Sequence, residues 1–251
     1  EDLAATGPVR VSDVEAAQAL AASYNELKKE ISRVIIGQDE VVRLVLTGIF
    51  CQGHSLLVGV PGLAKTLLVQ TISNALDLQF KRIQFTPDLM PSDIVGAETM
   101  DKERNFHFVK GPVFANIILA DEINRAPAKV QSALLEAMQE RQVTIGENTF
   151  KLDEPFLVMA TQNPIEQEGT YRLPEAQLDR FMFKVVIDYP NLVDECEIIR
   201  REHEALNGDK TVDVQTVVQK ADIDNVKSIV RSVLVEQNII EYIARIVQET
   251  R

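Results

Sequence analysis

Near the start of the chain, apolar side chains recur at alternating steps of three and four residues. The series consists of Ala17, Leu20, Tyr24, Leu27, Ile31 and Val34. Because an α-helix has 3.6 residues per turn, this spacing places the series on one face of a long helix. Gly37 interrupts the pattern, and residues 41–50 then predict a second helix.

Further along, short apolar runs alternate with helical patterns. The runs that are typical of buried strands cover residues 56–59, 80–85, 116–121, 156–161 and 182–187. Helical patterns at 65–76 and 126–141 lie between them. Strands that are apolar along their length and alternate with helices are typical of α/β folds. The sequence therefore predicts an α/β fold with a mostly parallel sheet covered on both faces.

Two segments interrupt this alternation, and both predict β-hairpins. The first has a polar tip at 101–105 and then Phe106 and Phe108, and the second covers 141–152 with a three-residue turn at 146–148. We expect the two phenylalanines to pack on their own sheet, with contact to another protein as the alternative.

After residue 190 the pattern changes to helices alone, at 193–206, 223–234 and 239–247. This change predicts two domains. Residues 1–190 form the α/β core together with the N-terminal helix, and residues 191–251 form a small all-α domain.

Composition and charge narrow the possible functions. The chain has 26 basic and 38 acidic residues, which gives a formal charge of −12 at pH 7. This sign disfavours nucleic acid as a partner, because phosphate contacts need clustered Lys and Arg. Cys51 and Cys196 form no C-x-x-C pair, so we expect a reducing, cytoplasmic setting. No apolar run approaches the roughly 18 residues of a membrane span, and none resembles a secretory signal.

Between a predicted strand and a predicted helix, residues 59–66 read GVPGLAKT. In this setting backbone N–H groups and a helix N-terminus bind phosphate. Lys65 is expected to reach the β- and γ-phosphates, and the Thr66 hydroxyl to bind Mg²⁺. Ala64 stands where the usual G-x-x-x-x-G-K-[ST] pattern has glycine. The expected nucleotide contacts here are Gly59, Pro61, Gly62, Leu63, Ala64, Lys65, Thr66 and Leu67.

Two other predicted strands end in polar residues that suit phosphate chemistry. Asp121 and Glu122 follow the apolar run at 116–120. At such a position, Asp121 can anchor Mg²⁺, and Glu122 can orient and deprotonate the attacking water. Asn163 follows the strand at 156–161 and is expected to hold the same water. A turn-forming asparagine before Pro164 is the alternative for Asn163.

Four motifs in this order resemble those of the MoxR branch of the AAA+ ATPases: GVPGLAKT, IILADEINRAP, ATQNP and EGTYRLPEAQLDRF. The resemblance extends from about Val34 to the end of the chain. It implies an AAA+ P-loop core with a five-stranded sheet and two β-hairpin insertions, followed by a helical lid. It also implies a ring, usually a hexamer, that binds ATP with Mg²⁺ between neighbouring subunits.

Site roles follow from the resemblance by position. It implies that Lys65 and Thr66 form the Walker A pair, that Asp121 and Glu122 form the Walker B pair, and that Asn163 is sensor 1. The motif that reads LDRF contains Arg180, which resembles the arginine finger. Such a finger acts in the site of a neighbouring subunit, where it meets transition-state charge. Arg125 and Arg172 are rivals for this interface role.

The family binds adenine just before the first core helix, so the expected base contacts are Ile36, Gly37 and Gln38. Val34 and Ile35 are further candidates, and a core-packing role for these aliphatic residues is an equal alternative. The family also has a sensor 2 arginine in a lid motif that ends Pro-Arg-Ala. The sequence reaches Arg251 without this motif, so we expect the lid to be cut short just before it.

Together these features predict a chaperone-like ATPase that hydrolyses Mg²⁺-ATP, forms rings, and remodels, assembles or activates other protein complexes. The resemblance implies a client complex and often a partner with a von Willebrand factor A domain. Two alternatives stay open. One is the ATPase motor subunit of a metal chelatase, and the other is a nucleotide-gated assembly scaffold with little hydrolysis.

Overall fold

The computed structural model describes residues 11–102, 104, 106–146, 148–165, 171, 173–206 and 213–250. The described part begins with two helices, α1 (Val11–Ser32) and α2 (Asp39–Phe50). Leu27 and Ile31 of α1 are fully buried, and Leu20 and Tyr24 are partly buried against the same core. The predicted apolar face is therefore confirmed from Leu20 to Ile31, whereas Ala17 is exposed and Val34 lies beyond the end of the helix.

The remaining elements alternate as the sequence predicts. In chain order they are β1 (His54–Val58), α3 (Lys65–Ala75), β2 (Phe80–Gln84), α4 (Pro91–Val95), β3 (Gly96–Met100), β4 (Phe106–Lys110), β5 (Ile117–Asp121), α5 (Ala128–Glu140), β6 (Gln142–Ile145), β7 (Asn148–Lys151), β8 (Leu157–Gln162), α6 (Glu175–Leu178), β9 (Phe181–Val186), α7 (Leu192–Leu206), α8 (Lys220–Ser232) and α9 (Gln237–Glu249). Helix α5 starts two residues later than predicted because Pro127, just before it, has an extended ψ of 152°.

Five strands form one sheet in the order β2-β5-β8-β1-β9, and every neighbouring pair is parallel. The predicted parallel sheet is thus confirmed. Strands β5 and β8 occupy central positions and are buried along nearly their whole length. Because all strands run the same way, their carboxyl ends lie at one edge of the sheet, where ligands bind in folds of this kind.

Helices cover both faces of the sheet. On one face, α1, α2 and α3 pack over strand residues that include Leu57, Ile117 and Leu119. On the other, α4 and α5 pack over residues that include Leu56 and Ile118. Successive side chains of a strand point to opposite faces, so one apolar run supplies both cores.

The two predicted hairpins are present as the antiparallel pairs β3–β4 and β6–β7. Asn148 pairs with Ile145 inside the second hairpin, so it belongs to a strand and the expected turn at 146–148 was one residue too long. Phe108 stacks on Phe150 of the other hairpin, with ring centroids 4.3 Å apart, and meets the edge of Phe114 at 5.6 Å. Phe108 therefore joins the two hairpins. The side chain of Phe106 lies outside the described part.

Helices alone follow the sheet, as predicted. Ile223 and Val226 of α8 are buried in the core that contains α1 and α2, and Lys227 Nζ donates to Glu154 Oε2 at 2.9 Å. The placement of a domain boundary near residue 190 stays a prediction. None of the described helices has the length and apolar character that crossing a membrane requires.

His54 is a buried ionisable residue at the start of β1. Its Nδ1 atom accepts a hydrogen bond from the Val158 N–H at 2.9 Å, and its Nε2 atom lies 3.4 Å from the Met138 carbonyl oxygen. Since Nδ1 is an acceptor, the ring is neutral and carries its proton on Nε2. Burial, aided by the nearby charge of Arg141, lowers the pKa of His54 to about 4.

The low pKa of His54 makes the protein less stable in mild acid. Between about pH 6.5 and pH 4 the unfolded chain binds a proton that the folded chain excludes, so the free energy of unfolding falls as pH falls through this window. Urea unfolding at pH 7 and pH 4.5 should show wild type losing about 2 kcal/mol more than His54→Asn, which keeps an acceptor for Val158. Parallel losses in the two proteins would contradict the assignment.

Candidate active site

The polar residues predicted for phosphate chemistry meet at the carboxyl edge of the sheet. The phosphate loop follows β1, Asp121 and Glu122 lie at the end of β5, and Asn163 follows β8. They surround a cavity of about 450 Å³ that is lined by Pro61, Gly62, Leu63, Ala64, Lys65, Thr66, Leu67, Arg82, Gln84, Asp121, Glu122, Thr161 and Asn163. The parallel topology thus brings together residues from four separate segments.

The phosphate loop depends on three backbone positions. A Cβ at Gly59 would lie 2.8 Å from the Ile187 carbonyl oxygen, so a side chain does not fit there. Gly62 has φ +89°, which favours glycine. Ala64 precedes α3 and is left-handed, with φ 54° and ψ 24°. The alanine at the usual glycine position therefore keeps the backbone conformation of glycine and bears the strain of its Cβ.

Lys65 lies at the start of α3 with its side chain turned back onto the loop. Its Nζ atom donates to the carbonyl oxygens of Gly59 at 2.6 Å and Val60 at 2.8 Å. Burial lowers the pKa of Lys65, and the charges of Asp121 and Glu122 oppose that shift. The ammonium group thus stands inside the phosphate-binding cavity, held by weak neutral acceptors that an anionic ligand can replace.

Asp121 is held by two donors on opposite oxygens. Its Oδ1 atom accepts from the Thr161 hydroxyl at 2.5 Å, and its Oδ2 atom accepts from Arg82 Nε at 3.0 Å and from an Arg82 terminal nitrogen at 2.6 Å. The Thr161 oxygen also accepts the Glu122 N–H at 2.8 Å. One hydroxyl therefore binds the Asp121 carboxylate and the backbone of Glu122.

Glu122 lies at a left-handed position, with φ 56°, immediately after β5. Its Oε2 atom accepts from Gln84 Nε2 at 2.9 Å and from Arg125 at 3.0 Å. Arg125 therefore contacts an acid of its own chain, whereas the interface role predicted for it needs contact with a neighbour. Arg172, the other rival, lies outside the described residues.

Arg82, Gln84 and Thr161 are site residues that the sequence patterns did not single out. Arg82 and Gln84 are alternate residues of β2, and Gln84 pairs directly with Asp121 of β5. Polar side chains at alternate positions of a strand lie on one face. The alternation in the sequence indicates that the two side chains share a face of the strand. Only the pairing of β2 with β5 shows that this face is directed towards Asp121 and Glu122.

Asn163 makes the turn contact that was considered for it, and its role towards water stays a prediction. It is buried and lines the cavity, and its Oδ1 atom accepts the Ile165 N–H at 3.1 Å, as in a turn-forming asparagine. The turn fixes the side chain at the cavity wall. Its amide nitrogen is the group available for a water or phosphate oxygen.

A second cavity of about 250 Å³ adjoins the phosphate loop and shares Gly62, Leu63, Ala64 and Leu67 with the first. Its walls are mostly apolar and include Val34, Ile35, Ile36, Gln38, Leu68, Pro190, Ile198, Arg201 and Glu202. Ile35 also belongs to the core, so the packing role considered for it is confirmed, and its contact with a base stays a prediction. Among the described residues, the buried Oε1 atom of Gln38 has no hydrogen-bond partner. An apolar cleft with one unpaired acceptor fits a nucleotide base.

Gly37 shows how closely α7 approaches this cleft. A Cβ at Gly37 would lie 2.2 Å from Asp194 Oδ2, and Gly37 itself has φ +70°. Both facts favour glycine here. Arg201 of α7 donates to the Arg33 carbonyl oxygen and lines the cleft. The predicted adenine segment therefore lies against the first helix after the sheet.

Arg180 lies at the opposite edge of the sheet from the phosphate loop. It precedes β9, whose first residue pairs with His54 at the amino end of β1. Five residues of strand span roughly 16 Å, so Arg180 cannot reach the cavity of its own chain. It donates to Gln139 Oε1 at 2.8 Å and to the Ala176 carbonyl oxygen at 3.2 Å. Its buried Nε atom has no partner within the described residues.

Comparison with known proteins agrees with this geometry. Residues 54–183 match the family described as ATPases associated with various cellular activities (AAA). Chaperone MoxR1 of Mycobacterium tuberculosis is 48% identical over 94% of this chain and 62% of its own length. Protein MoxR of Methylorubrum extorquens is 31% identical over 65% of this chain and 49% of its own length. A crystal structure of a protein from Cytophaga hutchinsonii, 49% identical, superposes with a TM-score of 0.87 over 96% of this chain and 72% of that one.

The chain belongs to the MoxR family of AAA+ ATPases. The matched region begins at β1 and ends in β9, so it contains the phosphate loop, both acids, Asn163 and Arg180. The chain spans about three fifths of the length of Chaperone MoxR1. In this MoxR-family chain the Thr66 hydroxyl and the Asp121 carboxylate line one cavity, and such hard oxygen donors fit Mg²⁺.

The left-handed backbone at Ala64 leads to a stability prediction. Ala64→Gly should raise the free energy of unfolding by about 0.5–1 kcal/mol, because glycine has no Cβ to strain in this conformation. The greater conformational freedom of glycine in the unfolded chain offsets only part of this gain. The measurement is urea unfolding without nucleotide.

Gly62→Ala is the matched control for this prediction. Nothing lies within 4 Å of the Cβ it would add, so any loss reports backbone strain alone and should be about 1 kcal/mol at φ +89°. If Ala64→Gly leaves the midpoint unchanged while Gly62→Ala lowers it, Ala64 is not strained.

Proposed function

We propose that this protein is a ring-forming ATPase that hydrolyses Mg²⁺-ATP to remodel, assemble or activate other protein complexes. One observation carries the proposal. A single cavity at the carboxyl edge of the sheet holds the phosphate loop, the Lys65 ammonium group, two acids and Asn163. Phosphoryl transfer to water needs a phosphate cradle, a cation, a base and a group that positions the water.

Binding of ATP follows from the two adjoining cavities. The triphosphate lies on the loop at residues 59–66, where its oxygens replace the Gly59 and Val60 carbonyls as partners of Lys65. The base enters the cleft formed by Ile36, Gly37 and Gln38, with Gln38 Oε1 as an acceptor for an amino group. Thr66 and Asp121 would hold Mg²⁺, which would neutralise part of the phosphate charge.

Hydrolysis requires one proton transfer and one bond exchange. Glu122 takes a proton from a water molecule that Asn163 orients, and the water oxygen bonds to the γ-phosphorus. The bond from that phosphorus to the bridging oxygen breaks, so the products are ADP and inorganic phosphate. Three contacts orient Glu122. Its Oε2 atom accepts hydrogen bonds from Gln84 and Arg125, and its N–H donates to the Thr161 hydroxyl oxygen.

Assembly completes the site. Arg180 lies at the far edge of the sheet, so its guanidinium can meet transition-state charge only in the cavity of another subunit. This placement supports a closed homo-oligomeric ring, which we propose to be a hexamer as the family resemblance implies. The partners proposed beyond the ring are a client complex and a protein with a von Willebrand factor A domain.

The first test measures steady-state ATP turnover per subunit against the concentration of the full-length protein. Turnover should rise with concentration, because each site needs Arg180 from a neighbour.

Lys65→Ala should lose nucleotide binding, and Glu122→Gln should keep ATP bound while turnover falls about 10²-fold or more. Normal turnover in Glu122→Gln would refute the assigned base. Binding without turnover in wild type would favour the assembly scaffold, and copurification with a metal-chelating subunit would favour the chelatase motor.

The second test mixes two inactive variants. Arg180→Ala keeps an intact cavity and lacks the arginine, whereas Lys65→Ala lacks the cavity and keeps the arginine. Each alone should have little activity, and an equal mixture should recover a measurable fraction, because some interfaces pair the intact cavity with the intact arginine. A mixture as inactive as its components, in rings shown to exchange subunits, would assign the arginine role elsewhere.

A further inference from the structure

Arg82 lines the same cavity as Asp121 and forms an ion pair with it. It is on β2, an edge strand, and its guanidinium donates twice to Asp121 Oδ2, at 3.0 and 2.6 Å. One of its terminal nitrogens also donates to Gln84 Oε1 at 2.5 Å. Since Thr161 takes Oδ1 of the same carboxylate, both Asp121 oxygens carry protein donors.

These contacts compete with metal binding at Asp121. Mg²⁺ or its coordinated water would approach a carboxylate whose Oδ2 atom already accepts two hydrogen bonds from a guanidinium, and two positive groups repel at close range. We therefore expect one of the partners to move when a metal ion arrives. Asp121 is tied to the Thr161 hydroxyl and its side chain is only 12% exposed, whereas the Arg82 side chain is 48% exposed. Arg82 is the partner free to swing into solvent.

The charges of the cavity point the same way. Without a ligand, Arg82 and Lys65 balance Asp121 and Glu122, so the described site carries no net charge from these four groups. A divalent cation adds two positive charges to the cavity. When the guanidinium leaves, it takes one positive charge away from the carboxylate. Asp121 is thus paired with a cation both before and after Mg²⁺ replaces Arg82.

We propose that Arg82 is a guanidinium lock that holds Asp121 in the metal-free state and is displaced by Mg²⁺ when nucleotide binds. The inference rests on the proposed ATPase function. It adds that Arg82 sets the concentration of Mg²⁺ that is needed for nucleotide binding. Arg82 acts through Asp121, so it is a positioning residue.

The experiment titrates Mg²⁺ against binding of a fluorescent ADP analogue to the full-length protein. Arg82→Gln removes the competing cation and should lower the half-saturating Mg²⁺ concentration about two- to fivefold, the range of a partly exposed ion pair. Arg82→Lys keeps the charge with fewer donors and should lower it less. Arg43→Gln removes an exposed pair with Glu40 that lines neither cavity, and it should match wild type.

A second readout uses no nucleotide. In EDTA, Arg82→Gln leaves the Asp121 carboxylate without its cation next to Glu122, so its melting temperature should lie below that of wild type. Addition of Mg²⁺ alone should raise the melting temperature of Arg82→Gln and leave wild type nearly unchanged, since only the variant exposes a free carboxylate.

Two results would overturn the lock. One is an unchanged or higher Mg²⁺ requirement in both Arg82 variants, which would mean that Arg82 stays in place or assists the loaded site. The other is a melting temperature of Arg82→Gln that does not respond to Mg²⁺ alone. Failure of wild type to bind the nucleotide at any Mg²⁺ concentration would instead refute the proposed function, and the melting experiment would still decide on Arg82.

Discussion

The site depends above all on the parallel register of the three central strands. Met159 of β8 pairs with both Leu119 of β5 and Ser55 of β1, and this alignment places the ends of the three strands side by side. A shift of one residue in β8 would turn Thr161 to the other face of the sheet and separate it from Asp121 and Glu122. The apolar side chains that fill both faces oppose such a shift, so hydrophobic packing is what holds the cavity residues in place.

Backbone strain occurs at both turns that border the cavity. Ala64 and Glu122 are both left-handed residues with a Cβ, one before α3 and one after β5. Such positions cost free energy and persist where surrounding contacts hold them. At Glu122 the holding contact is visible, because the Thr161 hydroxyl binds both its N–H and the neighbouring Asp121. The same hydroxyl therefore stabilises a strained backbone and orients the Asp121 carboxylate.

The two edges of the sheet hold different groups. The carboxyl edge holds the cavity, whereas the amino edge holds Arg180 beside His54, which is buried and neutral. The stacked rings of Phe108 and Phe150 join the two hairpin insertions. Glu154, at the amino edge, binds Lys227 of α8 and so links the helices after residue 190 to the core.

The sequence by itself determined the order of the main strands and helices and the two hairpins, and it singled out residues 59–66, Asp121, Glu122 and Asn163, which the structure brings to one cavity. These features have local signals, since periodicity and turn residues are written in consecutive positions. The tertiary structure decided which segments meet. Only the pairing of β2 with β5 brings Arg82 and Gln84 to the acids, and only the packing of α7 places Arg201 at the base cleft. Such contacts join residues far apart in the chain, and no local pattern records them, because their geometry arises from strand order and side-chain packing.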